Sequence, residues 1–455
     1  MKQWVRSSLA RSLPVLATPL LALGALATMT PASVASASVA AGARPVAQTA
    51  PAVPAVPASL RAAIRKSLGA GAYSRQTGLA AADGAPNDEF GYSVALSGSG
   101  TTALVGAWER HTSTGAAYVF RLRGGQWHQT AELTAPHGVA NDEFGYSVAL
   151  SATGATAVVG APRSGGAGAA YVFGLRGGKW FHTTELTAAN AARGDNFGGA
   201  VAVSAPGATI VVGAFGANLT PGLAAGTGAA YVFRLRGRSW AQSAELTPAH
   251  GAPMDVFGGS VSVSAAGTTA LVGAAGHNFS EGAAYVFRLR GHSWSQTAEL
   301  TAPHPAQGDN FGVSVSLSAR GSTALAGAPD RTSQAGAAYV FRLRGRTWSE
   351  TAQLTAAGGA PRDEFGYSVA LSANGTTALG GAPYHNEAVG AAYVFRLRGR
   401  TWSQTAELTA RDGASPDQLG GSVGLSASGS TALAGAIGRN SYAGAAFVFT
   451  GRGRP

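Results

Sequence analysis

One acidic residue recurs at a fixed place along this 455-residue chain. Asp88, Asp142, Asp195, Asp255, Asp309, Asp363 and Asp417 each lie two positions before a Phe-Gly pair, or a Leu-Gly pair in the last case. Carboxylates in such a register suit two kinds of chemistry. An aspartate in a turn accepts backbone N–H bonds. A ring of carboxylates around a channel mouth holds a cation or a basic ligand, and Glu89, Glu143 and Glu364 would add to its field.

Basic residues recur at a different place. Arg121 and Arg123, Arg176, Arg234 and Arg236, Arg288 and Arg290, Arg342 and Arg344, and Arg396 and Arg398 close an "RLRG"-like stretch in successive units. They form either a solvated rim that keeps a glycine-rich chain soluble or a contact surface for a polyanion such as wall polymer or acidic glycan. Export argues against nucleic acid as a partner, and exposed aromatics interleaved with these arginines are not evident, so none is expected. A third group is irregular: Trp108, His111, Phe215, Phe279, Tyr384, His385 and Tyr442 stand in loops whose sequences differ from unit to unit. Variable loops on a rigid frame are where recognition resides, and exposed aromatics there stack on sugars or anchor a protein partner. Catalytic signatures are missing from the sequence: there is no G-x-S-x-G elbow, H-E-x-x-H pair or phosphate loop. His250, His277 and His304 fall in adjacent loops without the paired spacing of metal ligands, so neither metal nor cofactor is expected.

The elements that must position these groups follow from the repeat. Phe90, Phe144, Phe197, Phe257, Phe311, Phe365 and Leu419 are spaced by 54, 53, 60, 54, 54 and 54 residues. The long interval carries an insertion at 215–228. Each unit holds four short apolar stretches separated by turn residues, as in "FGVSVSLS", "TALAGAP", "GAAYVFRLR" and "TWSETAQLT" (311–355). These have strand length and strand composition, with no room for a helix. Four antiparallel strands per unit, seven times over, predict an all-β, seven-bladed β-propeller of four-stranded blades. The ends discriminate a ring from an open stack. "YSRQTGL" (73–79) is an orphan copy of the Trp strand, since Tyr73 precedes Phe90 by the same 17 residues as Trp127 precedes Phe144. The last unit has no Trp strand of its own. The N-terminal strand is therefore expected to close the ring by completing the last blade. The recurring Trp127, Trp180, Trp240, Trp294, Trp348 and Trp402 are expected to pack between blades.

The FG and GAP signatures carry a family resemblance. "GAP" is intact at 160–162, 327–329 and 381–383 and drifts to GAW, GAF, GAA and GAI elsewhere. The chain resembles the FG-GAP repeat family, the unit of the integrin α-subunit β-propeller and of many secreted bacterial proteins. Members of that family often carry an Asp-rich calcium loop between the FG and GAP strands. The loops here, from "SGSGTT" to "SASGST", hold no acid, which implies the calcium-free bacterial variant.

Residues 1–37 read as a secretory signal, with Lys2, Arg6 and Arg11 before an apolar run and "ASA" at 35–37. An Ala/Pro-rich linker with a short helix at 59–68 is expected over 38–72, the propeller over 73–450 and a tail at 451–455. Removing the leader's three cations lowers the formal charge from +11 to +8. No cysteine is present, so packing alone must hold the fold. The expectation is a secreted, extracellular or cell-surface protein, monomeric and without a membrane span after signal removal. Its role would be binding or adhesion toward a glycan, wall polymer or protein. The alternatives are a secreted polysaccharide lyase or hydrolase on the same scaffold, and a structural surface protein.

Overall fold

Each apolar stretch of the repeat becomes a strand in the computed structural model, which describes residues 73–218 and 226–451. The expected leader, the expected linker with the helix expected at 59–68, and residues 452–455 of the tail lie outside the described residues, as do residues 219–225 of the inserted loop. In the first blade the strands are Ser93–Leu96, Thr102–Ala107, Ala116–Arg123 and Gln126–Leu133, hydrogen-bonded in that order as an antiparallel meander. Five further blades repeat it. The seventh is composite: Leu419–Leu425, Thr431–Ala436 and Ala445–Thr450 are completed by Arg75–Leu79. Arg75 pairs with Thr450 and Leu79 with Ala446. Tyr73 stands where the other blades have Trp, and its hydroxyl donates to the Gly429 carbonyl at 2.6 Å. The protein is a seven-bladed β-propeller closed by its N-terminal strand.

The core lies between blades. One cluster joins Leu104, Val119 and Leu133 of the first blade to Phe144, Val159, Tyr171 and Phe173 of the second, and six others follow the same scheme around the ring. The FG phenylalanine is its anchor. Phe90 is fully buried, with ring centroids 5.6 Å from Tyr118 and 5.8 Å from Phe120. A side chain buried to that degree contributes about 2–3 kcal/mol. The six tryptophans are half-buried at the rim; Trp127, for example, packs against the core shared by the first and seventh blades.

The two motif glycines meet across the blade boundary. A Cβ on Gly106 would lie 2.0 Å from the carbonyl oxygen of Gly145 in the next blade. Gly91 has φ +98°, and a Cβ there would lie 2.3 Å from the Ala445 carbonyl oxygen. Only glycine permits this approach. Serines of the inner strands use the same carbonyls: Ser93 Oγ donates to Gly145 O at 2.8 Å and Ser422 Oγ to Gly91 O at 2.7 Å. On one face, backbone bonds link successive first–second turns (Ala265 to Ala319, Ala319 to Ala373, Ala373 to Ala427), and the Ala427 N–H crosses the closure to the Gly98 carbonyl.

The loops between second and third strands contain left-handed turns. His111, Thr112 and Ser113 have φ of 49°, 59° and 59°. Such backbone costs about 1–2 kcal/mol per non-glycine residue. The carbonyls it turns outward accept N–H bonds from the neighbouring blade, Asn141 to Thr112 at 3.1 Å and Glu143 to Ser113 at 2.8 Å. These bonds offset the strain.

Candidate functional site

The meander places the second–third loops and the blade-to-blade connections on one face of the ring, and the first–second and third–fourth turns on the other. On the first face all seven aspartates are buried. Each carboxylate accepts the N–H of the residue three positions earlier, from 2.7 Å at Asp195 to 3.1 Å at Asp417. Their exposure is 2–6%, and none lines the axial cavity. In five blades a basic side chain 22 residues on pairs with the aspartate: Arg110 with Asp88 at 3.0 Å, His277 with Asp255 at 3.1 Å, Arg331 with Asp309, His385 with Asp363 at 2.8 Å, and Arg439 with Asp417 at 2.9 Å. A fourth-strand glutamate approaches the same base in three of them: Glu132 lies 3.4 Å from Arg110, Glu299 3.8 Å from His277 and Glu407 3.8 Å from His385. The third blade has Ala217 at the basic position. There burial raises the Asp195 carboxyl above its usual range, opposed by the Ala192 N–H bond.

The aspartates thus hold the turns, and a different set of groups surrounds the axis. The axial cavity, about 250 Å³, is lined by three successive residues from each inner strand, such as Tyr92, Ser93 and Val94. Three tyrosines crowd it: Tyr92, Tyr146 and Tyr367. Tyr92 and Tyr146 have centroids 5.0 Å apart, and Trp108 packs 5.5 Å from the first and 5.9 Å from the second. The third blade has Gly199 in place of the tyrosine, and Phe215 covers it, with a ring carbon 2.5 Å from where a Cβ would be. Tyr384 lines a small neighbouring cavity with Tyr92, Tyr367, Pro383, Gln418 and Ile437.

Carboxylates are set among these rings. The residue before the FG pair is left-handed in every blade, φ 53° at Glu89, 61° at Glu143 and 55° at Glu364. Glu89 accepts the Trp108 indole N–H at 2.8 Å, and Glu143 meets Arg163 at 2.7 Å. Burial pushes Glu89 up to about 7, opposed by the Trp108 bond, and Glu143 up to about 7, opposed by Arg163. Burial with the nearby Asp330 charge pushes Glu364 up to about 8.

Of the seven loop residues singled out above, Trp108 and Phe215 pack against residues that line the axial cavity, and Tyr384 shares the small neighbouring cavity with Tyr92 and Tyr367. His385 is buried in its ion pair. His111 is exposed, Phe279 is 78% exposed and Tyr442 is half-buried; all three sit in left-handed turns at blade boundaries. The channel tyrosines Tyr92, Tyr146 and Tyr367 escape a search of the variable loops because they follow the FG pair inside the repeat.

On the opposite face, the first arginine of each RLR pair is half-buried and the second exposed: Arg121 and Arg123, Arg234 and Arg236, Arg288 and Arg290, Arg342 and Arg344, Arg396 and Arg398. The turns around them contain no acid. In the first–second turns, where a carboxylate loop would hold calcium, serine hydroxyls accept N–H bonds instead, Thr102 to Ser97 at 3.1 Å.

The FG-GAP repeat signature matches residues 73–120, 127–173, 180–233, 240–287, 294–341, 348–395 and 402–449. The chain belongs to the FG-GAP repeat family. Each FG-GAP match begins near the aromatic residue of one blade's outer strand and ends in the third strand of the next. The unit therefore straddles two blades, and the first one supplies the closing strand. No curated protein matches the chain.

Proposed function

We propose that this FG-GAP propeller is an exported binding module that recognises a glycan or wall polymer at the aromatic mouth of its axial channel. The observation that carries this reading is the break in the sevenfold repeat. Blades built on the same four strands differ at the mouth, where Trp108, Phe215 and Tyr384 join Tyr92, Tyr146 and Tyr367 near the carboxyl groups of Glu89, Glu143 and Glu364. Aromatic faces stack on the apolar side of a sugar ring, and carboxyl groups exchange hydrogen bonds with its hydroxyls. Binding of the protein to arrayed glycans and purified wall polymers tests it. Trp108→Ala and Tyr384→Ala should each weaken the ligand found by about tenfold, the loss of roughly 1.4 kcal/mol of ring contact. Binding of an uncharged glycan that ignores both substitutions, or the absence of any glycan whose binding they weaken, refutes the site.

The raised Glu89, Glu143 and Glu364 favour a second reading, a lyase or hydrolase using one of them as a general acid. Release of reducing ends from a polysaccharide panel, abolished by Glu→Gln at one of these positions, would replace the binding reading.

A further inference from the structure

We propose that a groove between the fifth and sixth blades, on the face opposite the aromatic mouth, binds the carboxylates of a linear acidic polysaccharide. The groove encloses about 620 Å³, more than the axial cavity, and is lined by Ser318, Arg320, Ser322, Arg342, Arg344 and Asn374 among others. It is where this face departs from its repeat. Arg320 is the one charged residue in any of the seven first–second turns, and it stands over an RLR pair. Among the described residues, none of the three arginines forms an ion pair.

The neutral groups of the groove are also set to donate. Asn374 Oδ1 already accepts bonds from Ser372 Oγ at 2.8 Å and from the Thr376 N–H at 3.1 Å, which leaves its NH₂ group. Ser318 Oγ accepts from the Thr323 N–H at 3.0 Å, which leaves its proton. A site with three guanidinium groups, an amide NH₂ and a hydroxyl proton, and no acid, complements a ligand that only accepts. Guanidinium groups pair with carboxylates in a planar fork, and the neutral donors suit the ring and hydroxyl oxygens between them. The lining has no aromatic ring to stack a base, which disfavours single-stranded nucleic acid. The flanking pairs Arg288/Arg290 and Arg396/Arg398 continue the positive rim on either side, so a chain of regularly spaced anions fits better than a single small one.

The test is binding of the full chain to polygalacturonate at low salt, with dextran and long-chain polyphosphate as comparators. The double substitution Arg320→Ala with Arg344→Ala should weaken polygalacturonate binding about tenfold, and Arg234→Ala with Arg236→Ala in the third blade by no more than about twofold. Arg320 and Arg344 are exposed, so an unchanged melting profile is expected; Arg320→Glu alone provides a second variant with the same predicted loss. Raising the salt to about 0.5 M should abolish the interaction. Trp108→Ala and Tyr384→Ala should leave it intact, because this site does not depend on the mouth. Equal losses in the two double variants, tighter binding to polyphosphate or dextran, no binding, or a loss on changing the mouth aromatics would each overturn the proposal.

Discussion

Glu364 gives the sharpest quantitative test of the mouth. Its carboxyl is partly buried beside Tyr384, with Asp330 as the charge that acts on it. A carboxyl whose folded value is about 8, against 4.5 when exposed, keeps its proton in the folded state over a window where the unfolded chain has lost it. The folded state then binds more protons, so stability falls as pH rises from about 4.5 to about 8 and is level outside that window. The slope is about 1.4 kcal/mol per pH unit, giving a ceiling near 5 kcal/mol; water entry and relaxation reduce the realised loss to roughly 2 kcal/mol. Glu364→Gln removes the ionisation while keeping the shape. Urea denaturation of wild type and variant at pH 4.5 and pH 9 isolates the term, because other titrating groups are common to both proteins. The variant should match wild type at pH 4.5 and exceed it by about 2 kcal/mol at pH 9. The same difference at both pH values would refute a carboxyl held neutral at the mouth.

Three further outcomes follow from the packing. Leu79→Ala, at a closing-strand residue 3% exposed against Phe90, Leu433 and Val448, should cost about 3 kcal/mol in urea denaturation; a loss below about 1 kcal/mol would argue against a tight latch. Gly327→Ala would put a Cβ 1.8 Å from the Gly366 carbonyl oxygen and should cost about 3 kcal/mol or more, whereas Gly345→Ala, in open space at φ +62°, should cost about 1 kcal/mol. Asp309→Ala removes the acceptor of the Ala306 N–H and strips Arg331 of its carboxylate, for a loss of about 3 kcal/mol; Asp195→Asn, with no basic partner, should stay within about 1 kcal/mol of wild type.

The propeller was readable in the sequence because each repeat is one local solution to the same packing problem. The ring was readable because Tyr73 is a strand out of place. The aspartate pairs were harder to see. Arg110 and His277 reach Asp88 and Asp255 across two loops, and the basic position alternates among Arg, His, Ser and Ala, so no fixed motif marks it. Nor did spacing reveal that the residue after each aspartate, rather than the aspartate, stands beside the channel tyrosines. That follows from a left-handed backbone at Glu89, Glu143 and Glu364, a conformation the local sequence does not announce in non-glycine residues. Arg320 bears no mark of a site in the sequence, because the third-strand arginines it joins lie more than twenty residues away along the chain.

The register of the closing strand sets how the molecule would respond to pulling. Arg75 lies opposite Thr450, so the leading and trailing flanks leave the same edge of one sheet, side by side. Tension applied between those flanks loads the outermost backbone bond first and opens the seam one rung at a time, as a zip fastener parts from its end. A force borne instead through the loops would meet all the rungs in parallel. A load placed between the two tails therefore falls on the closing strand alone, while the other six blades carry none of it.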